Sequence, residues 1–517
     1  GYKSGWGGMW STTTWYYLFA FHPISIDGIP FDNWQGGPAA LAAGNNWQKS
    51  HSEQLINTLS AKLTPLKDLD IIFEYSKRIT NDANSTRLNQ FQSLLAPKLT
   101  LTTGGLNRLT EYRNRNYYNV LNLYGTYSKT FLNDHNLKLM LGFNQEDYEA
   151  DNVISEQGDL LIPALENLSL GTNILRATGS ASLWALRGYF GRFNYDYKNK
   201  YLLEFNARYD GSSRFPENSR WGFFPSVSLG WYPSRENFWT PIADIINTLK
   251  LRASYGKLGN QTVGLYTFSQ TLGISQSTWL ANSAKLTYAT VPDPLPSVVT
   301  WEKTTTLDFG ADLGFLKDKL LVSFDWFNKD ITDMYLPGEP LPAVFGAAEP
   351  KENIASLNVK GFEISVGYKD YIMAAGSPLT LRASVSLSNS IGTITKYPNP
   401  EGIMSDYWEG QRLGEIWGYH IEGQFQSDEE AQSYQETFSN PVAQLGKVYK
   451  FIIRTAQNTQ WKGLRAGDVK YVDSDGDGEI NNGEYTLSNH GDLEIIGNAM
   501  PQFPFGFTFG ADWQGID

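Results

Sequence analysis

The fold is decided by RGYFGRFNYDYKNKYLLEFNARYD, a stretch of strict alternation that occupies residues 187–210. After its central KNK, apolar side chains recur at every second position, namely Tyr201, Leu203, Phe205, Ala207 and Tyr209. Glu204, Asn206 and Arg208 fall between them. A period of two is that of a β-strand with one apolar and one polar face. Because only KNK separates this run from an equally regular run before it, the stretch predicts an antiparallel hairpin with a tight turn.

The same unit recurs along the chain. We predict about six such hairpins, each made of two alternating runs joined by a turn. They occupy residues 55–78, 120–145, 187–210, 221–257, 304–328 and 360–390. The predicted strands are about ten residues long, which is the length that a tilted strand needs to cross a bilayer.

The connections between these hairpins are uneven in length. Turns within hairpins are mostly short, whereas 258–300, 331–357 and 391–502 are predicted to be long and irregular. A compact soluble domain carries few long irregular segments. Short turns on one side and long loops on the other are typical of outer-membrane barrels. The pattern therefore favours an all-β fold, a transmembrane antiparallel β-barrel.

Aromatic residues support a membrane-facing surface. They make up 14% of the chain, and several lie near predicted strand ends, namely Tyr197, Tyr201, Trp231, Trp326 and Trp513. Tyr and Trp are enriched at membrane–water interfaces, where their amphipathic rings sit at the level of the headgroups. The opposite face carries Arg and Glu, which suits a water-filled interior. Alternation alone leaves a soluble β-sandwich or propeller open as the alternative.

Composition excludes several classes of protein. The 517-residue chain has a net charge of −12 and no basic cluster, which disfavours binding to a nucleic-acid backbone. It has no cysteine, so disulfides and thiolate sites are excluded. No run of about 18 apolar residues marks a spanning helix. Because the first residues lack a secretory signal and only QGID follows the strand at 503–513, we expect the chain to be part of a longer protein.

Specific stretches resemble a known family. FGRFNYDYKNKYLLEFNARYDGSSRFPENSRWGFFPSVSLGWYPSRENFW (190–239) is similar to the most recognisable barrel segment of the SusC/RagA-like TonB-dependent transporters of the Bacteroidetes outer membrane. Further similar stretches follow in the same order, at 249–261, 301–336, 413–431 and 467–509. The resemblance covers residues 185–515, whereas 1–180 fit a barrel with weaker signals.

The resemblance implies a fold and a function. It implies a barrel of about 22 strands, of which residues 1–517 would form a part. The N-terminal plug domain and the closing C-terminal strands would lie outside this chain. The implied function is import of oligosaccharides or peptides, driven by TonB through a segment outside this chain, with a SusD/RagB-like surface lipoprotein as the lid. The expected location is the outer membrane of a Gram-negative, Bacteroidetes-like bacterium, where outer-membrane lipid surrounds the barrel.

Residues 473–484, DSDGDGEINNGE, match the spacing of an EF-hand calcium loop. The predicted Ca²⁺ ligands are Asp473, Asp475, Asp477, Glu479, Asn481 and Glu484, because calcium is bound by carboxylate, amide and backbone carbonyl oxygens. Gly478 would permit the sharp turn, and Ile480 would anchor the loop. The residues before the loop alternate like a strand, which disfavours a helix-flanked sensor. We expect a structural ion that orders the long extracellular loop region at 391–502; an acidic turn without an ion is the alternative.

Catalysis finds no support in the sequence. The five histidines are scattered without metal-ligand spacing, and no hydrolase or nucleotide-binding motif is present. Glu204, Asp308 and Asp325 alternate with apolar neighbours and are predicted to face the interior. Tryptophans outside the strands could stack on sugar rings, but none is assigned to a site. The leading hypothesis is a TonB-dependent importer that is not an enzyme; a secreted, calcium-stabilised adhesion protein and a passive porin are the alternatives.

Overall fold

A computed structural model describes most of the chain. The described residues are 24–26, 29–31, 46–89, 91–96, 99–103, 107–162, 165–270, 272–281, 284–290, 292, 294–338, 341–438, 463–514 and 516. Parts of the predicted regions, including 1–23 of the barrel portion and 439–462 of the long loop region, lie outside the described residues.

The described residues are mostly β-strand. The strands are β1 (Ile24–Ile26), β2 (Ile29–Phe31), β3 (Trp47–Leu66), β4 (Leu69–Leu88), β5 (Phe91–Ala96), β6 (Leu99–Thr103), β7 (Arg108–Phe131), β8 (His135–Leu160), β9 (Gly171–Tyr197), β10 (Tyr201–Ser212), β11 (Trp221–Trp231), β12 (Ile246–Asn260), β13 (Ile274–Ala281), β14 (Ala284–Ala289), β15 (Glu302–Phe315), β16 (Leu320–Pro337), β17 (Lys351–Ala374), β18 (Ser377–Lys396), β19 (Glu415–Tyr419), β20 (Ile421–Gln424), β21 (Val469–Tyr471), β22 (Leu493–Asn498) and β23 (Phe505–Trp513). The helices are α1 (Asp428–Gln435) and short 3₁₀ turns at Leu168–Leu170, Glu217–Ser219, Pro233–Arg235, Asn237–Ile242 and Ala343–Phe345. In the described part of the chain no helix has the length and apolar character to span a membrane.

Thirteen of the strands pair into one sheet. Their order is β23-β18-β17-β16-β15-β12-β11-β10-β9-β8-β7-β4-β3. The pairs from β11 to β23 and the pair β3–β4 are antiparallel. The predicted hairpins are present as β3–β4, β7–β8, β9–β10, β11–β12, β15–β16 and β17–β18, with the two strands of each adjacent in the sheet. The predicted antiparallel β-fold is therefore confirmed.

The chain divides into two compact units. One comprises residues within 1–126, 141–190 and 211–213, and holds β1 to β6 with most of β7, β8 and β9. The other comprises residues within 127–140, 191–210 and 214–517. It holds β10 to β23 almost entirely, together with the charge clusters and the calcium-type loop described below.

Most strands are longer than predicted. The strands β7, β8 and β9 have 24, 26 and 27 residues, whereas the alternation predicted about ten. On β8 the face that begins with Leu137, Leu139, Leu141 and Phe143 continues with Gln145, Asp147 and Glu149. Once both faces are polar, the strand has no period-two signal, although its backbone ladder continues. The predicted lengths therefore correspond only to the part of each strand in which apolar and polar residues alternate.

The long connections are also more ordered than predicted. The segment 258–300 contains the hairpin β13–β14. Within 331–357, β16 continues to Pro337 and β17 begins at Lys351. The loop region predicted at 391–502 begins with residues that still belong to β18, and the region between the two strands runs from 397 to 504. Extension of paired strands accounts for the differences at 331–357 and 391–502, whereas β13–β14 is a separate two-stranded sheet.

Aromatic side chains mark two levels along the strands. Tyr201 follows the short turn at the start of β10, and Trp231 lies at the same end of the sheet, where β11 ends. At the other ends, Tyr209 stacks on Trp221 with ring centroids 4.9 Å apart. The ten steps from Trp221 to Trp231, at about 3.3 Å each and a tilt of about 40°, rise roughly 25 Å, the height of the apolar band of an outer-membrane barrel.

Trp326 differs from the other predicted interface residues. Tyr197 and Trp513 end their strands as predicted. Trp326 instead lies inside β16, opposite Phe309 on β15 and Phe362 on β17. The prediction that it lies at a strand end is wrong because β16 runs on to Pro337. The apolar alternation ends near Trp326, and the strand does not.

The described residues of 397–504, namely 397–438 and 463–504, are called the loop segment here and have a buried core of their own. It consists of Phe425, Ala431, Phe438, Leu464 and Ile480, and we call it the loop core. The loop segment also contains the pairs β19–β22 and β20–β21. Ser427 caps α1 by accepting a hydrogen bond from the backbone N–H of Glu430, which satisfies a donor that the helix leaves unpaired. The loop segment therefore packs like a small soluble domain.

Candidate functional site

The register of five strands sorts their side chains onto two faces. One row across β12, β15, β16, β17 and β18 consists of Leu251, Ala311, Phe324, Ile364 and Leu387. The neighbouring row consists of Arg252, Gly310, Asp325, Glu363 and Ser388. Successive side chains of a strand point to opposite faces. The sheet thus has an apolar face and a polar face, as the alternation predicted.

Arg252 is the centre of a charge cluster on the polar face. Its Nε and Nη2 donate to the two carboxylate oxygens of Asp312, at 2.9 and 3.0 Å. Its guanidinium also pairs with Asp325, with Nη1 2.9 Å from Oδ1 and Nη2 3.0 Å from Oδ2. The hydroxyl of Ser323 donates to Asp312 at 2.8 Å. Planar guanidinium groups suit such paired contacts to carboxylates.

Gly310 makes this cluster possible. Arg252 on β12 and Asp325 on β16 both lie opposite Gly310, so the pair crosses the strand between them. A Cβ at residue 310 would lie 2.7 Å from Cζ of Arg252 and would also overlap Asp325. The glycine is therefore needed for close approach of a charged side chain rather than for backbone conformation.

Glu204 belongs to a second polar cluster. Its carboxylate accepts hydrogen bonds from Asn194 at 2.5 Å and from Asn206 at 2.8 Å. Arg192 donates to Asn206 at 2.6 Å. Asp308 lies opposite Ser254, on the polar face with Asp325. The polar face therefore displays fixed hydrogen-bonding and charged groups, which can bind polar solutes.

The calcium-type loop folds around its first aspartates. Asp473 accepts hydrogen bonds from the backbone N–H groups of Gly476, at 2.7 Å, and Gly478, at 2.9 Å. The carboxylate oxygens of Asp473, Asp475 and Asp492 lie within 4.8 Å of one another. Ca²⁺–oxygen distances are about 2.3–2.6 Å, so oxygens on opposite sides of one ion lie up to about 5 Å apart. These three carboxylates fit one cation.

The other predicted ligands lie outside this group of three. Asp477 accepts from the backbone N–H of Glu479 at 2.7 Å, and Asn481 accepts from that of Gly483 at 2.6 Å. Glu484 is exposed, and its backbone N–H bonds the carbonyl of Asn489. The spacing rule placed the closing carboxylate at position twelve, whereas the carboxylate beside Asp473 and Asp475 is that of Asp492.

Asp492 is the residue that sequence reasoning missed. It is fully buried, and its carboxylate accepts from the backbone N–H groups of Ser474 at 2.6 Å and Asn481 at 2.8 Å. Burial raises the pKa of its carboxyl above the ordinary range, and these backbone bonds oppose the rise. The sequence signal was an aspartate directly before β22, well beyond the twelve-residue loop.

The loop is anchored to the loop core. Ile480, predicted as the anchor, is buried among Phe425, Ala431 and the rest of the loop core. The strand β21, not a helix, precedes the loop and pairs with β20. Lys470 of β21 contacts Glu422 at 2.8 Å and lowers the pKa of that carboxyl. The loop thus sits on a packed base, without the helix pair that a sensor opens.

Comparison with known proteins gives the family. Residues 3–513 match the family described as TonB dependent receptor-like, beta-barrel. TonB-dependent receptor P39 of Formosa agariphila is 28% identical over 499 residues, covering 91% of this chain and 44% of the relative. TonB-dependent receptor SusC of Bacteroides thetaiotaomicron is 31% identical over 305 residues, covering 58% of this chain and 29% of that protein. The chain thus spans less than half the length of these relatives.

Solved structures show the same fold. The RagAB peptide transporter superposes with a TM-score of 0.67 and 20% identity, over 95% of this chain and 49% of the matched one. The resemblance seen in the sequence is thereby confirmed. This chain belongs to the TonB-dependent receptor-like β-barrel family of the outer membrane, and it is SusC/RagA-like within it.

Proposed function

We propose that this chain forms part of the barrel of a TonB-dependent importer, which takes up oligosaccharides or peptides across the outer membrane. The polar face carries the proposal: its charge clusters line one side of strands whose other side is apolar. A SusD/RagB-like surface lipoprotein would close the barrel, and TonB would supply the energy. Similarity to the TonB-dependent receptor SusC and to the RagAB peptide transporter supports this assignment.

Energy dependence tests the proposal. Cells lacking the gene are complemented with the full-length protein, and uptake of labelled oligosaccharides and labelled peptides is measured. We expect uptake of one class to return and to stop when TonB is removed. Uptake that returns and persists without TonB would instead identify a passive porin and contradict the proposal.

A variant of the polar face links uptake to this chain. Arg252→Gln removes the cation that pairs with Asp312 and Asp325, so we expect slower uptake at an unchanged level in the outer membrane. The matched control is Lys317→Gln, which removes an exposed cation from the turn between β15 and β16. Equal uptake rates for the two variants would argue against a role of this cluster in passage.

We also propose that the loop at 473–484 holds a structural Ca²⁺. Asp473, Asp475 and Asp492 would be ligands, with Asp477, Glu479, Asn481 and Glu484 as the further predicted ones. Bound calcium would offset the mutual repulsion of the carboxylates and stabilise the loop segment, because an ion that binds only the folded state stabilises it.

Calorimetric titration with Ca²⁺ and limited proteolysis test this site. We expect Asp475→Asn to weaken binding about tenfold or more, and chelation to expose the loop segment to protease. Glu494→Gln, which changes an exposed carboxylate on β22, is the control. The variant Glu484→Gln tests whether the side chain at position twelve of the loop binds the ion, because loss of that carboxylate would then weaken Ca²⁺ binding. Identical proteolysis with and without chelator would rule out the ion.

A further inference from the structure

Three aromatic rings on neighbouring strands form a cluster that we call the ring cluster. The ring of Trp184 on β9 stacks with that of Tyr148 on β8, with centroids 5.8 Å apart, and its centroid lies 6.1 Å from that of Tyr118 on β7. The three strands are adjacent in the sheet, and each ring is half-buried. All three residues belong to the compact unit that holds β1 to β6.

The ring cluster projects from the face opposite the apolar one. Phe143 on β8 and Tyr189 on β9 belong to the apolar face, where their ring centroids are 5.4 Å apart. Tyr148 and Trp184 are each five residues from them along the same strand, and an odd separation puts two side chains on opposite faces. The face opposite the apolar one lines the interior of an outer-membrane barrel. The ring cluster therefore faces the interior rather than lipid.

The three rings lie at one level of the sheet. Tyr118 is thirteen residues before the end of β7, Tyr148 is thirteen after the start of β8, and Trp184 is thirteen before the end of β9. Thirteen steps of about 3.3 Å, at a tilt of about 40°, rise roughly 33 Å above the short turns. The apolar band of such a barrel is about 25 Å tall. The ring cluster thus lies beyond this band, at the end where the long extracellular connections begin, and is not part of an interfacial girdle.

Polar side chains of both charges surround the rings. The hydroxyl of Tyr118 donates to Glu146 at 2.5 Å, and the guanidinium of Arg78 on β4 lies 4.9 Å from the centroid of the same ring. The hydroxyl of Tyr148 donates to the amide oxygen of Asn116 at 3.2 Å. Because Arg78 and Glu146 bring opposite charges to the rings, the cluster suits a neutral polar ligand better than an ion.

A pyranose ring matches this combination of groups. Its C–H face can pack on a flat aromatic face, and its hydroxyls can pair with amide, carboxylate and guanidinium groups, each of which offers several hydrogen-bonding atoms. A peptide that binds by strand addition needs a free sheet edge. The strands β4, β7, β8 and β9 each have a neighbour on both sides, so recognition at the ring cluster depends on side chains.

We propose that the ring cluster binds a neutral pyranose unit of an oligosaccharide at the extracellular mouth of the barrel. The sugar ring would stack on Trp184, with its hydroxyls towards Asn116 and Glu146. This proposal rests on the proposed importer function and selects the oligosaccharide from its two classes of solute.

Calorimetric titration of the full-length protein in detergent tests the site. The probes are maltohexaose, cellohexaose, laminarihexaose and mannohexaose, and a neutral hexapeptide of alternating serine and alanine is the comparison. We expect at least one hexasaccharide to bind, and Trp184→Leu to weaken its binding about tenfold because the flat ring is lost. Trp184→Phe keeps a flat ring and should bind within about threefold of the unaltered protein. Absence of binding by all these hexasaccharides, or binding of the peptide alone, would overturn the proposal without any variant.

The matched control is Phe190→Leu. Phe190 lies on the same face of β9, six residues nearer the short turn, and its ring centroid is 6.4 Å from that of Tyr124, outside the ring cluster. We expect this variant to bind the hexasaccharide as the unaltered protein does, and all variants to keep the heat-modifiable gel mobility of an assembled barrel. Equal weakening by Phe190→Leu and Trp184→Leu would overturn the site.

Failure of this site and failure of the importer can be told apart. TonB-dependent uptake of peptides by a protein that binds none of the hexasaccharides would overturn the ring cluster as a sugar site and leave the importer in place. Hexasaccharide binding that depends on Trp184, together with uptake that persists without TonB, would support the sugar site and contradict the importer.

Discussion

Two phenylalanines show how differently the two parts of this molecule are stabilised. Phe425, in the loop core, has 2% of its surface exposed, whereas Phe507, on the apolar face of β23, has 69% exposed. The loop segment buries its apolar side chains against one another, as soluble domains do. The sheet presents them outward, because lipid takes the place of a packed core. Exposure of an apolar residue is therefore a defect in one region and a requirement in the other.

The two regions are also held together by different interactions. In the loop segment, packing around Phe425 and Ile480 supplies the stability, and capping and ion pairs orient the parts. In the sheet, the backbone ladder must satisfy every polar group that lies in lipid. Side chains of the polar face then tie neighbouring strands, as Arg252 ties β12, β15 and β16. The variants below separate these contributions.

The largest effect is expected in the loop core. Phe425→Ala leaves a cavity beside Tyr434, whose ring is 5.2 Å away, and should cost about 3–5 kcal/mol of unfolding free energy. We expect protease to cleave the loop segment while the barrel keeps its heat-modifiable gel mobility. Phe507→Ala is the comparison: lipid chains fill the space, so the loop segment should stay resistant. Loss of barrel mobility in Phe425→Ala would show that the two regions are not separable.

A charge on the apolar face comes next. Val366 lies opposite Val322 and Val385 on the apolar face, whereas its neighbour Ser365 lies on the polar face. Val366→Arg should cost about 2–4 kcal/mol of barrel stability, because an arginine on the apolar face meets hydrocarbon. Ser365→Arg should change little. Urea unfolding in lipid vesicles measures both, and equal costs would contradict the assignment of faces.

A smaller effect is expected at Gly310. Gly310→Ala places a methyl group against Arg252 and Asp325, and the strain should cost about 1–3 kcal/mol. Gly367→Ala is a matched control, since a Cβ there meets nothing within 4 Å. The same unfolding measurement compares the two. Equal stability of the two variants would show that Arg252 does not depend on the space left by the missing side chain at residue 310.

The smallest effect concerns Tyr397 at the start of the loop segment. Its hydroxyl donates to Asp406 at 2.7 Å, and burial followed by this hydrogen bond raises the pKa of Tyr397 to about 12. The pKa of an unfolded tyrosine is about 10. The contribution of Tyr397 to the free energy of unfolding is therefore complete below about pH 10 and is lost as the pH rises towards 12. Absorbance titration should show a late-titrating signal whose amplitude falls by one tyrosine in Tyr397→Phe. Tyr407→Phe, at the neighbouring ring, should leave that titration in place.

The hairpins were predictable because a strand's faces alternate locally, as in 187–210. The strand lengths were not, because Gln145, Asp147 and Glu149 on β8 give no apolar signal while the backbone pairing continues. The anchoring role of Ile480 was predictable from its place in the loop. Asp492 was missed because spacing rules describe ligands within one continuous loop, and the chain returns to that loop later.

By itself the sequence determined which side chains share a face and which residue types suit contact with lipid, water or a cation. These properties depend on the pleat of one strand and on the chemistry of each side chain. Only the tertiary structure decided which faces adjoin. The crossing of Arg252 over Gly310 to Asp325 and the approach of Asp492 to Asp473 and Asp475 both depend on strand order and register. Such contacts join residues far apart in the chain, so their geometry comes from the whole sheet and the whole loop segment rather than from any local pattern.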